Sequence, residues 1–371
     1  MKHLAVYSIV MCSLSVCAQD LQEANELIEN FQFEKALSVL SQLNDTSDIH
    51  VPLQKGYCYS RLGNFNDAIN SYERALTIDS VNKIALNQLG QVYSKTNRFD
   101  QAEECFKKLI DIDSLNSFYF KQYAALLSAI NRDSIAGLFY KKTLQLNPKD
   151  VDSSISWGNI LLEAEDYFVL DSLVGTALSI DSLQPGVLLL KAKSQMAQHK
   201  YKATVATVKK ILESNDTQPI HARLLGISYF QLKNYEKTIE CMSFLLLGGI
   251  KSEWVYYYLG ASYKELGDIP KSIDWMNKAI ESGISENIEI YYSQLAKSYE
   301  DAKDYKNAIH YYQAAYEKSK TKIILYHLAR NYDTYFKDKS SAIAYYKRYL
   351  ASDDTIKLAR EYAKHRLRVL E

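Results

Sequence analysis

The stretch Gly56-Tyr57-Cys58-Tyr59-Ser60-Arg61-Leu62-Gly63-Asn64-Phe65, continued by Asn66-Asp67-Ala68-Ile69-Asn70-Ser71-Tyr72-Glu73-Arg74-Ala75, decides the fold. Small and aromatic residues recur in it at helical spacing, and Gly63-Asn64 breaks it in the middle. Gly56 also opens a series. Gly90, Ala124, Gly158, Ala192, Gly226 and Gly260 follow at intervals of 34 residues, then Ala296 and Ala329 at 36 and 33. A fixed period of this length marks one supersecondary unit stacked many times.

With the small residue taken as position 8 of each unit, apolar residues at 4, 7, 8 and 11 form one stripe of a first helix. Position 11 holds Tyr59, Tyr93, Leu127, Leu161, Tyr229, Tyr263, Tyr299 and Tyr332. A turn follows, as in Leu62-Gly63-Asn64 or Leu266-Gly267-Asp268, where Gly or Asn adopts the positive φ that ends a helix. The second helix has small residues at position 20 (Ala68, Ala102, Ala136, Ala308) and large ones at 24 (Tyr72, Phe106, Tyr140, Tyr312). Small residues allow close backbone approach and aromatic ones fill the space beside them. Each pair leaves an apolar face that the next pair covers.

The pattern resembles the tetratricopeptide repeat, a 34-residue helix–turn–helix unit. The resemblance implies an all-α fold, a right-handed superhelical solenoid of antiparallel helix pairs. About ten units are expected over residues 19–352, beginning near 17, 49, 83, 117, 151, 185, 219, 253, 289 and 322. The family's proline at position 32 survives only as Pro148. Asp79-Ser80, Asp113-Ser114 and Asp181-Ser182 stand in that loop elsewhere, and we expect them to cap the following helix. Units 151–218 are the most divergent, with Lys191 and Gln195 at core-type positions. Residues 353–371 form the expected closing helix. Ile356, Ala359, Tyr362, Ala363, Leu367 and Leu370 lie on its inner face, and Lys357, Arg360, Glu361, Lys364 and Arg368 on its outer one.

Composition narrows the function. The chain of 371 residues is 47% hydrophobic and carries no net charge, so it has the material for a long core and lacks the basic excess of a nucleic-acid binder. Residues 1–18 read as a signal peptide cleaved after Ala18: Lys2-His3, an apolar run Leu4 to Val16, then Val16-Cys17-Ala18. The run is shorter than the roughly 20 apolar residues of a membrane span. The mature protein is therefore expected to be exported, periplasmic or envelope-associated, with no membrane insertion after cleavage. Three cysteines then remain, Cys58, Cys105 and Cys241, and they read as packing residues without metal-site spacing.

The chain carries no catalytic signature. None of the histidines stands in a HExxH arrangement, and the chain has no GxSxG, GxxxxGK[ST] or GxGxxG motif. Gly248-Gly249 and Ser282-Gly283 read as helix-ending loops, and Asp353-Asp354 as solvated acids in a terminal loop. We expect no enzyme, no catalytic residue, no metal and no cofactor.

The resemblance places a ligand groove on the first helices, at positions 2, 5, 9 and 12. The last three of these carry over to 27 residues that include six bases (Lys121, Lys193, Arg223, Lys264, Lys297, Arg330) against two acids (Glu300, Asp333). An apolar group, Leu189, Met196, Ile227, Phe230 and Tyr257, lies among them, and position 2 adds Trp254. The expected partner-binding groove is Lys193, Arg223, Ile227, Phe230, Trp254, Tyr257, Lys264, Lys297 and Arg330. It suits a protein or peptide partner with apolar anchors and acidic character. A carboxylate clamp is absent, because Lys121 is followed by Ala125 where the family's pattern has Asn. The alternative is a glycan or small-ligand binder that uses groove aromatics as stacking platforms. Asp-Ser/Thr-apolar triplets such as Asp79-Ser80-Val81 and Asp354-Thr355-Ile356 resemble an O-glycosylation acceptor of exported bacterial proteins. Asn44-Asp45-Thr46 and Asn215-Asp216-Thr217 are N-glycosylation sequons.

Overall fold

The computed structural model describes residues 19–43, 48–282 and 287–371. The expected leader 1–18, the sequon at 44–46 and Gly283 lie outside them. Among the described residues there are 21 α-helices and no strand, as the periodicity requires. The chain divides into two compact units, one up to Val187 and one from Leu188. The boundary falls within the divergent stretch 151–218.

The first unit contains α1 (19–29), α2 (Phe33–Gln42), α3 (His50–Arg61), α4 (Phe65–Ile78), α5 (Lys83–Lys95), α6 (Phe99–Ile112), α7 (Ser117–Ala129), α8 (Asp133–Leu146), α9 (Val151–Glu163) and α10 (Tyr167–Ile180). Helix α11 (Pro185–Ala197) carries the boundary. From α2 to α10 each helix packs on the next, with one buried cluster from Ala24 to Cys58 and a larger one from Ala68 to Tyr140. Its centre is Tyr72, Leu86, Phe106, Leu109 and Leu127, all buried. Gly56 shows why position 8 is small: an added Cβ would lie 2.6 Å from the ring of Tyr72, at position 24 of the same pair.

The second unit continues with α12 (Tyr201–Leu212), α13 (Pro219–Gln231), α14 (Tyr235–Leu247), α15 (Glu253–Glu265), α16 (Ile269–Glu281), α17 (Ile288–Asp301), α18 (Tyr305–Ser319), α19 (Lys322–Tyr335), α20 (Ser340–Leu350) and α21 (Lys357–Leu370). The same size rule applies, with Gly260 set against Met276. Position 20 stays small here, as Ala308, but in three repeats it turns polar, as Thr204, Thr238 and Ser272, all fully buried. Thr204 and Thr238 donate to the carbonyls of Lys200 and Asn234, and Ser272 meets Ser298 at 2.9 Å, so no buried hydroxyl of the three is orphaned. Helix α21 buries Ala359 and Ala363 against Tyr346 and Tyr349. Ile356, expected inside, is 48% exposed because the helix starts one residue after it.

Two details of the turns differ from expectation. Gly63, Asn97 and Asn131 do hold φ of 81°, 59° and 58° at position 15. Glu165, His199, Lys233 and Lys303 hold the same left-handed conformation without being Gly or Asn. The backbone pins it: the N–H of the following residue bonds the carbonyl five positions back, as in Arg98 to Tyr93 at 2.8 Å and Lys200 to Gln195 at 2.8 Å. The Asp-Ser loops do not cap the next helix. Asp79, Asp113 and Asp181 end the preceding one, and the carboxylates of Asp79 and Asp181 accept from Val81 and Leu183 in local turns. The caps stand three residues later, at Asn82, Asn116, Asp150 and Gln184.

Candidate functional site

The predicted groove residues from 193 onward belong to α11, α13, α15, α17 and α19 of the second unit. Their side chains divide into three sets. Phe230 and Tyr257 pack into one cluster with Ala261, Met276 and Leu295. Phe230 sits edge-on to Tyr258 at 5.1 Å, and Tyr257 leans on Tyr291 at 5.4 Å. Burial pushes the hydroxyl pKa of both Tyr257 and Tyr258 up, so these rings stay neutral. Much of the apolar surface assigned to a ligand is thus engaged between helices.

A second set is neutralised. Lys264 is 8% exposed and meets Glu265 at 2.8 Å. Arg330 lies 3.4 Å from Glu300 and over the rings of Tyr326 and Tyr362. Glu300 also accepts from Tyr312 and Asn331. Beside it His327 stacks on Tyr312, and burial holds its imidazole below the ordinary value. Asp333, one of the two groove acids, is buried under Arg366 and Lys339. In the first unit Lys121 bridges Asp150 and Asp152. The basic excess read from the sequence therefore shrinks: three of its six cations have carboxylate partners that position along the chain does not reveal.

The third set stays at least partly exposed. Arg223 is exposed, and its guanidinium lies 5.0 Å from the centre of the Trp254 ring. Ile227 and Trp254 join the same cluster, around Met242 and Val255. Lys193 and Lys297 form no salt bridge among the described residues, and Lys297 is exposed. The strip thus offers one rigid aromatic–guanidinium pair, an aliphatic neighbour and free cations.

The first unit has recesses on the same class of positions. One of about 260 Å³ lies among α1, α3 and α5 and includes Leu53, Tyr57 and Gln54. Another, of about 310 Å³, includes Gln91, Ser94 and Ala125. Leu53, Tyr57, Gln91, Ser94 and Ala125 all stand at carried-over groove positions, yet charge counting gives them no weight because none is charged. No group of three or more His, Cys, Asp or Glu side chains is placed to hold a metal among the described residues.

Residues 45–114 match the family model of the tetratricopeptide repeat. No curated protein matches the chain. Among solved structures it is similar to the APC/C hetero-tetramer Cut9-Hcn1, with TM-score 0.50, 14% identity, and 94% of this chain and 83% of that chain covered. A tetratricopeptide repeat protein from Parabacteroides merdae gives TM-score 0.49 at 14% identity, covering 67% of this chain and 98% of that one. Pseudomonas aeruginosa pilF gives 0.46 at 14% identity, covering 60% and 98%. The family model covers the repeats at residues 45–114, and the likeness at TM-score 0.50 shows a shared helical-repeat fold.

Proposed function

We propose that this tetratricopeptide-repeat chain is an exported, non-enzymatic scaffold that holds an extended segment of a partner protein along the first helices of its units. The leader-like pattern at residues 1–18 supports export to the periplasm or envelope. One observation carries the binding reading: the Arg223–Trp254 pair, with Ile227 beside it and Lys193 and Lys297 forming no salt bridge among the described residues. Aromatic and arginine anchors dominate binding energy at interfaces, and the free cations favour an acidic segment. Buried Trp, Tyr and Arg anchors typically cost 2 kcal/mol or more when truncated, roughly 30-fold in affinity. The test is crosslinked capture from the native envelope by the wild-type chain and by Arg223→Ala/Trp254→Ala. Loss of the captured protein in the variant, with helical circular dichroism unchanged, is the expected result. Equal capture removes this strip as the binding face, and recovery of the full-length protein with its leader from the cytoplasmic fraction removes export.

A glycan-binding reading draws on a column of stacked rings, Phe336–Tyr332–Tyr345, continued by Arg348 lying over both Tyr345 and Tyr316. Such faces suit sugar rings. Thermal stabilisation by oligosaccharides, without any captured protein, would favour it over the scaffold.

A further inference from the structure

An array of stacked helices stays in solution when its outermost helices turn polar faces to water. Helix α21 closes the described array and departs from that rule. It buries Ala359 and Ala363 against α20, yet Leu358 is 80% exposed and Val369 59%. With Tyr362, also exposed, they stand at i, i+4 and i+11, on one stripe of the helix apart from the buried one. The helix carries five bases and one acid. Arg360 and Arg366 are tied down by hydrogen bonds to the carbonyl of Leu350 and to Asp333, and Lys357 meets Glu361 at 4.0 Å. Lys364 and Arg368 are exposed and form no salt bridge among the described residues. The complementary charge lies on the same chain. Residues 19–43 hold five acids against one base, Lys35. Glu23, Glu26 and Glu29 stand three residues apart on α1, away from the buried Ala24. All three are exposed and form no salt bridge among the described residues, and Phe31, 71% exposed, follows them.

We infer that α21 of one copy of this chain docks on α1 of another copy. The apolar stripe of Leu358 and Val369 is set beside Phe31, and Lys364 and Arg368 face Glu26 and Glu29. Opposite charges across an interface select the partner and its orientation, whereas two α21 helices laid together would set like charges against each other. Each copy offers one surface of each kind, so the contact is heterologous and adds copies in series or closes a ring. The inference uses no residue of the Arg223–Trp254 strip, so it stands or falls apart from the scaffold reading.

The test is sedimentation velocity of the full chain over a range of concentrations at low and high salt. The sedimentation coefficient should rise with concentration at low salt and fall back in about 1 M salt, which cuts the screening length to about 3 Å. Lys364→Glu/Arg368→Glu should weaken association about tenfold or more, and so should Glu26→Lys/Glu29→Lys. Mixed together, the two variants should recover it, because each surface then meets the opposite charge on the other variant. Leu358→Ser/Val369→Ser, two changes outside the core, should abolish association with helical circular dichroism unchanged. A wild-type chain that stays monomeric at low salt overturns the inference. Association that survives Glu26→Lys/Glu29→Lys also overturns it, in favour of α21 pairing with itself. A monomeric chain that floats with phosphatidylglycerol vesicles, and no longer floats as Leu358→Ser/Val369→Ser, gives the stripe to a lipid surface and overturns it as well.

Discussion

Gly56 has no room for a methyl group, because the Tyr72 ring is fully packed against it. Gly56→Ala should therefore destabilise the first unit by about 1–3 kcal/mol, the usual cost of overfilling a close-packed site, read as a lower urea midpoint. The thiols behave as packing groups. Burial pushes Cys58, Cys105 and Cys241 each up to about 11. A folded pKa above the unfolded value of about 8.5 means a contribution that is complete below pH 8.5 and lost as pH rises towards 11. Two outcomes follow: thiol labelling at pH 8 far slower than in guanidinium, and an alkaline loss of stability that is shallower in Cys58→Ala. At this scale the sequence was readable wherever size decided the matter, as at Gly56 and Tyr72. It was not readable where an ion pair decided it, as at Lys264 and Arg330, since the partner stands on a surface that only folding creates.

Helix α21 is fastened by two arginines. Arg360 donates to the carbonyls of Leu350, Ser352 and Asp354, the exposed end of α20 and the loop beyond. Arg366 grips both carboxylate oxygens of Asp333, at 2.5 and 3.1 Å. Burial opposes the Asp333 charge, but Arg366 and Lys339 outweigh it and hold the carboxyl below its ordinary value. Asp333 thus stabilises the fold above its unfolded value of about 3.9, and that stability is lost as pH falls through the lower folded value. Arg366→Ala leaves Asp333 with Lys339 alone. It should cost about 2–3 kcal/mol, at the low end for a broken buried pair, and move the acid-unfolding midpoint to higher pH. The closing helix itself was legible from Ala359 and Ala363, whereas Arg360 reads as an outer-face charge until its carbonyl partners are seen. The interhelical caps were misread for a related reason. Asp79-Ser80 is the conspicuous capping sequence, yet Asp79 closes α4 and Asn82, less conspicuous, caps α5.

Within each of the two units, the helices of the described residues lean chiefly on their sequence neighbours. Stability in such arrays is a sum of local terms, and cooperativity breaks down with length. Tryptophans report on each unit separately: Trp157 in the first, Trp254 and Trp275 in the second. Urea transitions of Trp157→Phe and of Trp254→Phe/Trp275→Phe, followed by fluorescence, should not coincide; superimposable curves would indicate one cooperative body. The pairing of Gly56 with Tyr72 also bears on how such a chain can vary over time. At Gly56 a bulkier residue is accommodated only once the Tyr72 ring has shifted or shrunk, whereas Ala124 beside Tyr140 and Ala296 beside Tyr312 show other units holding a methyl and a ring at the same two places. Gly56→Ala should therefore be far less damaging in a Tyr72→Leu background than alone.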